Sequence, residues 1–470
     1  MRPDIAVVVL GDIGRSPRMQ YHCISLSHLA NTNVHVIGYK GERCVPGLVS
    51  RGNIHQHLLG TPFSNWPRAL FLFYAPLKVL WQVFQLMWVL LTGFPAPRAI
   101  LVQNPPSIPT LMIVWLVCLL RGSQMVVDWH NFGYTILGLS LGPRHLLVWI
   151  SRIYEGLFAK RANAHLCVTG AMREWLKKEW GVTANLLYDR PPPFFKRLSL
   201  VERHELFFRL APHLPSPPKQ STVQSPKIAP RKRGASRGHG TASRLDSPSP
   251  SSTLVTTLCP STGQVLPRPS RPAVLVSSTS WTADEDFGML LDALSCLDAA
   301  ISLPSRAPRF PDFLVLVTGK GPLRSAFESR AASLPLRRIA IRTLWLTPED
   351  YPRLLGAADC GVSLHSSSSG LDLPMKVVDM FGAGLPVCAL NFPCLHELVK
   401  HGKNGLIFNC GMELASQLER LFEDFLAEPS SQAVKGELAK MRRYVELAGE
   451  QERWEENWKK NAAPLFTGDT

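Results

Sequence analysis

The residues best suited to chemistry in this 470-residue chain are concentrated between Ser366 and Ala389. A serine run, Ser366 to Ser369, leads through Gly370, Leu371 and Asp372 to Pro374-Met375-Lys376, with Asp379 three residues past the lysine. The flanking residues 357–364 read as a short buried strand. Met375 to Phe381 reads as a helix stopped by Gly382 and Gly384, and Leu385-Pro-Val-Cys-Ala389 as the next strand. A small polar loop leading from a strand into a helix leaves the first-turn N–H groups without partners at the positive end of the helix dipole. Lys376 adds a cation to that turn, and Asp379 lies on roughly the same face, where a carboxylate can accept from ribose hydroxyls. These residue types at this spacing suit a nucleoside diphosphate. The competing reading is an ordinary βαβ unit with a charged first turn.

Further candidates follow other predicted strands. Gly319-Lys320-Gly321-Pro322 follows Phe313–Thr318, and Gly11-Asp-Ile-Gly14-Arg15-Ser-Pro-Arg18 follows the apolar run Ile5–Leu10. The latter lacks the third glycine of a dinucleotide fingerprint and reads as a turn that lets backbone approach a ligand. Met125-Val-Val-Asp128-Trp-His130-Asn131 is a strand ending in titratable groups, at the end where parallel sheets place their ligands. Asp284-Glu-Asp286 has a D-x-D spacing but falls in the first turn of a helix, where acids are favoured by the dipole, so it reads as capping and no metal cluster is expected.

The elements that must position these groups alternate strand and helix, which predicts parallel α/β sheets. At this length two domains are expected. We assign residues 1–199 to an N-terminal Rossmann-like domain, 200–271 to a disordered basic linker or insertion, 272–440 to a C-terminal nucleotide-binding domain and 441–470 to a helical tail that packs back on the N-terminal domain. The net charge is +15. Residues 211–271 hold nine Lys or Arg against one Asp, a local +8, but the segment from Lys219 to Arg271 has no aromatic residue to stack on a base. It reads as a solvated segment, and nucleic acid is not an expected partner. Ten scattered cysteines without a C-x-x-C pair, and the lack of an Asn-x-Ser/Thr sequon, fit a reducing, cytosol-facing setting. Residues 69–93 are strongly apolar but contain Pro76, Lys78, Gln82 and Gln85. Pro76, Val79, Leu80, Val83, Leu86, Met87 and Leu90 share one helical face, so the expectation is a helix buried on one side and lying against a membrane surface on the other, ahead of a true span or a core helix. Leu111–Leu120 is too short to cross a bilayer.

Several of these blocks carry a resemblance. Gly319-Lys-Gly-Pro322, Pro374-Met-Lys-Val-Val-Asp379, Gly384-Leu-Pro386 and Asn404-Gly-Leu-Ile407 resemble the nucleotide-binding half of GT-B glycosyltransferases. Val9–His22, Gln103-Asn-Pro-Pro106, Asp128-Trp-His-Asn131, Cys167-Val-Thr169, Val276–Thr282 and His365–Asp379 are similar to the chitobiosyldiphosphodolichol β-mannosyltransferase family of the lipid-linked oligosaccharide pathway. The resemblance covers both halves in order and fails mainly over 200–271. It implies a GT-B fold of two Rossmann-like domains facing across a cleft. It also implies inverting transfer of a β-1,4-mannose from GDP-mannose to GlcNAc2-diphosphodolichol at the cytosolic face of the endoplasmic reticulum membrane, with no cofactor beyond the donor. Later mannosyltransferases of the pathway are implied partners. Such enzymes generally carry an N-terminal membrane anchor; this chain enters a strand at Ile5, so attachment is expected to rest on 69–93 and 111–120. A second reading is an inactive paralogue serving as a membrane scaffold.

On that resemblance the base of an inverting reaction comes from the N-terminal domain, with His130 as base or Asp128 as base or orienting group, and His22 and Asp12 as rivals. The donor is held by Gly319, Lys320, Gly321, Ser367, Ser368, Ser369, Gly370, Leu371, Lys376 and Asp379, and Trp281 either stacks on guanine or packs in the core. Gly11, Gly14, Arg15 and Arg18 form a loop that approaches the diphosphate when the domains close.

Overall fold

The computed structural model describes residues 4–60, 71–215, 252–282, 285–425, 436–451 and 453–467, with backbone only at 71–76, 450 and 451. Ile5-Ala-Val-Val-Val9 is apolar on both faces, the pattern of a strand covered by helices on each side, and all five residues are buried. It forms the middle of β1 (Asp4–Asp12) in a seven-stranded sheet with β2 (Asn33–Tyr39), β3 (Ile54–Leu59), β4 (Ala99–Asn104), β5 (Gln124–Trp129), β6 (Ala164–Cys167) and β7 (Asn185–Leu186). The order is β3-β2-β1-β4-β5-β6-β7, and every adjacent pair is parallel.

A small antiparallel ribbon of β8 (Thr256–Leu258) and β9 (Val265–Pro267) precedes the second sheet. That sheet contains β10 (Ala273–Ser278), β11 (Phe313–Thr318), β12 (Ile339–Leu344), β13 (Cys360–Ser363), β14 (Val387–Leu390) and β15 (Gly405–Phe408). Its order is β12-β11-β10-β13-β14-β15, again all parallel. In each sheet the strand order reverses beside the first strand, between β1 and β4 and between β10 and β13. Parallel α/β sheets open a crevice at the carboxyl ends of the strands at such a reversal. The two crevices face each other: Asn131 after β5 donates to Ser368 and Asp372 after β13, both at 3.2 Å. Thr169 Oγ1 donates to the Leu371 carbonyl at 2.6 Å.

The expected disordered segment 200–271 needs correction at both ends. Ser199 and Glu202 form a capping box, and Leu200–Leu210 is a helix. Its Leu206, Phe207 and Leu210 are buried in the second lobe's core with Leu354 and Leu355. Residues 252–271 carry the β8–β9 ribbon. Apolar spacing in the first flank and β-branched residues in the second outweigh the surrounding Pro/Ser content. Arg231-Lys232-Arg233 lies outside the described residues.

Helix Glu437–Gln451 packs on helix Met375–Gly382 of the second lobe. The chain then crosses to the first lobe, where Trp454, Trp458, Ala462 and Phe466 are buried with Met19, Cys23 and Leu26. The apolar stretch near residue 80 forms a helix, Phe71–Thr92. Leu86 and Leu90 enter the core, while Leu77, Leu80, Trp81, Phe84 and Trp88 face outward. Val79 and Leu80, assigned by periodicity to the inward face, are exposed: the helix carries a second apolar stripe at i, i+4, i+7 and i+11 from Leu77, and only its last turns meet the sheet. Among the described residues, no helix is long and apolar enough to cross a membrane.

Candidate active site

In the first lobe, the glycine loop after β1 is shaped by Asp12, whose carboxylate accepts from the backbone N–H groups of Gly14 and Glu42, both at 2.9 Å. A side chain at Gly14 would place its Cβ 2.2 Å from the Glu42 carbonyl oxygen, so the turn requires glycine there. Gly11 is unhindered. Asp12 is thereby committed to the loop and is not placed as a base.

Arg18, expected to reach a diphosphate, is buried instead. Its guanidinium forms a fork to Asp128 (Nε to Oδ2 2.8 Å, Nη2 to Oδ1 2.9 Å) and also donates to Asp189 (2.7 Å) and the Leu187 carbonyl (2.9 Å). Planar bidentate geometry and burial fix it there. Arg15 is the exposed arginine of the loop and lines the cleft.

Asp128 is fully buried. Burial alone would raise its pKa, but Arg18 and hydrogen bonds from two histidines hold the carboxyl well below its usual range. His22 Nε2 lies 3.1 Å and His130 Nε2 2.8 Å from Asp128 Oδ2. An ionised carboxylate only accepts, so both histidines present N–H through Nε2. Asp128 is therefore placed to orient its neighbours, the second of the two roles the resemblance left open to it. His22 is enclosed, and burial lowers its pKa. His130 stays partly exposed (22 % of its side chain) and lines the cleft, and with Nε2–H on Asp128 the neutral ring has its lone pair on Nδ1. That cleft, about 290 Å³, is lined by Arg15, Gln103, His130 and Asn131 from one lobe and Asp372, Leu373 and Met375 from the other.

The second lobe supplies helix Met375–Gly382, whose N-terminus has no side-chain cap. Val377 N–H turns back to Pro374, which leaves the Met375 and Lys376 amides directed out of the helix end. Lys376 Nζ is 2.9 Å from the buried Glu285, whose other oxygen accepts from Ser280 N–H (3.1 Å) and the Thr279 hydroxyl. Two ammonium protons remain for another acceptor. Asp286 accepts from Met289 N–H and caps its helix, as the first-turn reading of this acidic run expects; Asp284 lies outside the described residues.

The serine loop is tightly tied. Ser367 and Ser369 bond Asp372 and the Gly370 and Leu371 amides, and Ser368 meets Asn131 and Thr135 of the opposite lobe. Asp379 lies 3.4 Å from the Tyr351 hydroxyl; burial, with nearby Asp189, pushes its pKa up to about 8.

Gly319 has φ 147°, and a Cβ there would lie 1.8 Å from the Thr279 carbonyl oxygen, so the loop after β11 needs glycine. The Lys320 ammonium sits 4.3 Å from the Trp345 ring centroid, on an exposed face, and Gly321 packs against Ser280. Trp281 does not face a base. It is fully buried against Phe287 and Phe327, and its indole N–H donates to the Gly319 carbonyl at 3.1 Å. Its φ of 53° turns the side chain into the core, a feature the residue's type does not signal.

Several groups had no local signal. Asp189 holds Arg18 from a strand-to-linker turn. Glu397 of the second lobe caps the helix Gly170–Trp175 of the first through the Gly170 and Ala171 amides, both at 2.7 Å. Glu155 is buried beneath the loops after β4 and β5, accepting from Ser107 and Gly133 N–H, and burial pushes its pKa up to about 7 despite those bonds.

A family model for glycosyl transferases group 1 matches residues 264–444. The Mus musculus chitobiosyldiphosphodolichol beta-mannosyltransferase is 42% identical over 467 residues, covering 98% of this chain and 89% of the mouse protein. The Homo sapiens protein of the same name is 41% identical over 462 residues, with 98% and 92% covered. An Arabidopsis thaliana relative named UDP-glycosyltransferase TURAN is 42% identical over 473 residues, with 98% and 96% covered. Among solved structures, sucrose-phosphate synthase from Thermosynechococcus elongatus superposes with a TM-score of 0.61 at 12% identity, covering 99% of both chains. Anabaena HepE in complex with UDP and glucose gives 0.60 at 14% identity, covering 98% of this chain and 99% of that one. The architecture is GT-B.

Proposed function

Because this chain belongs to the chitobiosyldiphosphodolichol β-mannosyltransferase family, we propose that it transfers mannose from GDP-mannose to a GlcNAc2-diphosphodolichol acceptor with inversion. The observation that carries this reading is the pairing across one cleft. His130, backed by Asp128, stands on one wall, and Met375, at the uncapped end of the helix that carries Lys376, stands on the other. In a single displacement the acceptor hydroxyl oxygen bonds to the anomeric carbon while the bond to the diphosphate breaks. The hydroxyl proton goes to His130 Nδ1, and GDP departs with the bonding pair. Lys376, the helix amides and Arg15 stabilise the charge that develops on the leaving diphosphate. Asp379 meets the ribose. Lys376 shares its charge between Glu285 and phosphate, so it is already oriented before donor arrives.

A lipid-linked acceptor requires approach to a bilayer. Helices Phe71–Thr92, Thr110–Arg121, Gly133–Leu141 and Leu146–Ala159 neighbour one another on the first lobe. They expose Trp81, Phe84, Trp88, Leu120, Leu139 and Trp149. A surface of this kind, with interfacial tryptophans, supports membrane association from one side instead of a span. We place the protein on the cytosolic face of the endoplasmic reticulum membrane, where later mannosyltransferases of the pathway are its expected neighbours.

The test is mannose transfer from labelled GDP-mannose to a GlcNAc2-diphosphate lipid, with a UDP-sugar assayed in parallel because one relative carries a UDP-glycosyltransferase name. A β-linked mannosyl lipid made from GDP-mannose is expected. Transfer from the UDP-sugar alone, or none, rejects the assignment. Lys376→Ala should lower kcat/KM for the donor roughly ten- to hundred-fold, the worth of a charged hydrogen bond to phosphate.

A further inference from the structure

We propose that Trp458, in the C-terminal tail, is a positioning residue that sets the proton arrangement of the His22–Asp128–His130 group from outside the cleft. The proposal rests on His130 acting as the base. Trp458 Nε1 lies 2.9 Å from His22 Nδ1, and both side chains are buried. An indole N–H can only donate, so His22 Nδ1 must carry a lone pair and its proton must sit on Nε2. That Nε2–H meets Asp128 Oδ2 at 3.1 Å. The same oxygen accepts from Arg18 Nε and from His130 Nε2, both at 2.8 Å.

Every hydrogen bond in this chain thus points toward Asp128, and the last one places the proton of the neutral His130 ring on Nε2, so that Nδ1 is the nitrogen with the lone pair. The tail adds two supports. Trp454 Nε1 donates to Ser25 Oγ at 3.0 Å, and its ring lies 5.6 Å from the Arg18 guanidinium.

Without the indole, His22 Nδ1 gains room for a proton. A cationic His22 beside Asp128 would draw off the negative charge that supports His130 as it takes the acceptor's proton. The other charged groups around His130 are Arg18, Arg15 and Asp189 of the same lobe and Asp372 across the cleft. None of these changes when Trp458 is replaced. The tail reaches this position only after leaving the donor-binding lobe, so base orientation is tied to a segment that bridges both lobes.

The experiment compares Trp458→Phe with Phe466→Leu in the full chain, using the GDP-mannose transfer assay. Phe466 stacks on Trp458 (6.3 Å between centroids), so its truncation loosens the tail without removing the indole donor. Trp458→Phe is expected to lower kcat roughly three- to ten-fold, the effect of one net hydrogen bond, with donor KM unchanged and the acid limb of the kcat/KM–pH profile moved to lower pH. Phe466→Leu should keep the wild-type pH profile. Equal shifts in both variants, or an unshifted limb in Trp458→Phe, overturn the proposal.

If Trp458→Phe does not fold, ¹⁵N shifts of the wild-type histidines decide, with His22 assigned by its loss in His22→Gln. Protonated Nε2 with bare Nδ1 at His22 supports the arrangement, and a proton on Nδ1 refutes it. His130→Ala run alongside separates the two readings. Active His130→Ala removes the base assignment, whereas inactive His130→Ala beside a wild-type-like Trp458→Phe removes only the role of the tail.

Discussion

Replacing Asp128 by Asn changes one atom and removes one charge, and its consequences follow from the contacts. Oδ2 receives three donors and Oδ1 one, all N–H groups. If the Asn oxygen takes the Oδ2 position, its NH2 faces the Arg18 Nη2–H, donor against donor. The reverse orientation opposes NH2 to both histidines and Arg18 Nε. Either way at least one buried donor is stranded, and Arg18 keeps only Asp189 as a counter-charge. Breaking a buried pair by removing one partner costs about 3–5 kcal/mol. The surviving contact to Asp189 puts this site at the lower end, about 3 kcal/mol. Catalysis should fall further than stability suggests, because His130 loses both the acceptor that fixes its tautomer and the charge that stabilises it when protonated. General-base assistance is worth roughly 10²- to 10⁴-fold, and losing the orienting carboxylate should remove most of it from kcat. Thermal unfolding measures the first effect. Labelled mannose transfer at saturating GDP-mannose, below the variant's melting temperature, measures the second. If Asp128→Asn retains a third or more of wild-type kcat, the reasoning that places Asp128 behind the base is wrong.

Three further outcomes are expected. Trp281→Ala should destabilise the second lobe by about 3–5 kcal/mol, because a fully buried indole leaves a cavity, and GDP should still bind with near-wild-type affinity at temperatures where the variant is folded; calorimetry of GDP binding checks this. Glu155 titrates near 7 in the folded protein instead of its ordinary 4.5. The folded state therefore holds a proton that the unfolded state has already lost, and stability should decline as pH rises from about 4.5 to 7, then level off. Glu155→Gln, which mimics the protonated acid, should flatten that decline and gain up to about 3 kcal/mol relative to wild type at pH 8, read from denaturation curves at pH 5 and 8. Converting Trp81, Phe84 and Trp88 to Ser should lower binding to neutral phospholipid vesicles several-fold in a flotation assay while leaving the melting temperature nearly unchanged, since all three are exposed. Full vesicle binding by that variant would remove this face from the membrane-contact surface.

Much of the molecule was legible before any coordinates. Continuous apolar runs such as Ile5–Val9 and Phe313–Thr318 declare strands covered on both faces, and their alternation with helices declares two parallel sheets. The Ser-rich loop, Lys376 and the helix behind it follow from local rules, because a helix end and its dipole are made by consecutive residues. The same locality explains Asp286 as a cap; the glycines at 14 and 319 are instead required by carbonyls distant in the chain, those of Glu42 and Thr279, which leave no space for a Cβ. What sequence alone left open was partnership between residues far apart in the chain. Arg18 looked available for phosphate until Asp128 and Asp189, more than a hundred residues away, were seen to enclose it. Trp281 offered a ring for stacking, and only packing against Phe287 and Phe327 showed it to be core. Choosing among His22, Asp12, Asp128 and His130 depended on which of them lines the cleft, and of the four only His130 does. Our proposal of His130 rests on burial, which encloses His22 and Asp128, and on an ionised carboxylate that can only accept, features that burial and distant contacts supply and local sequence does not.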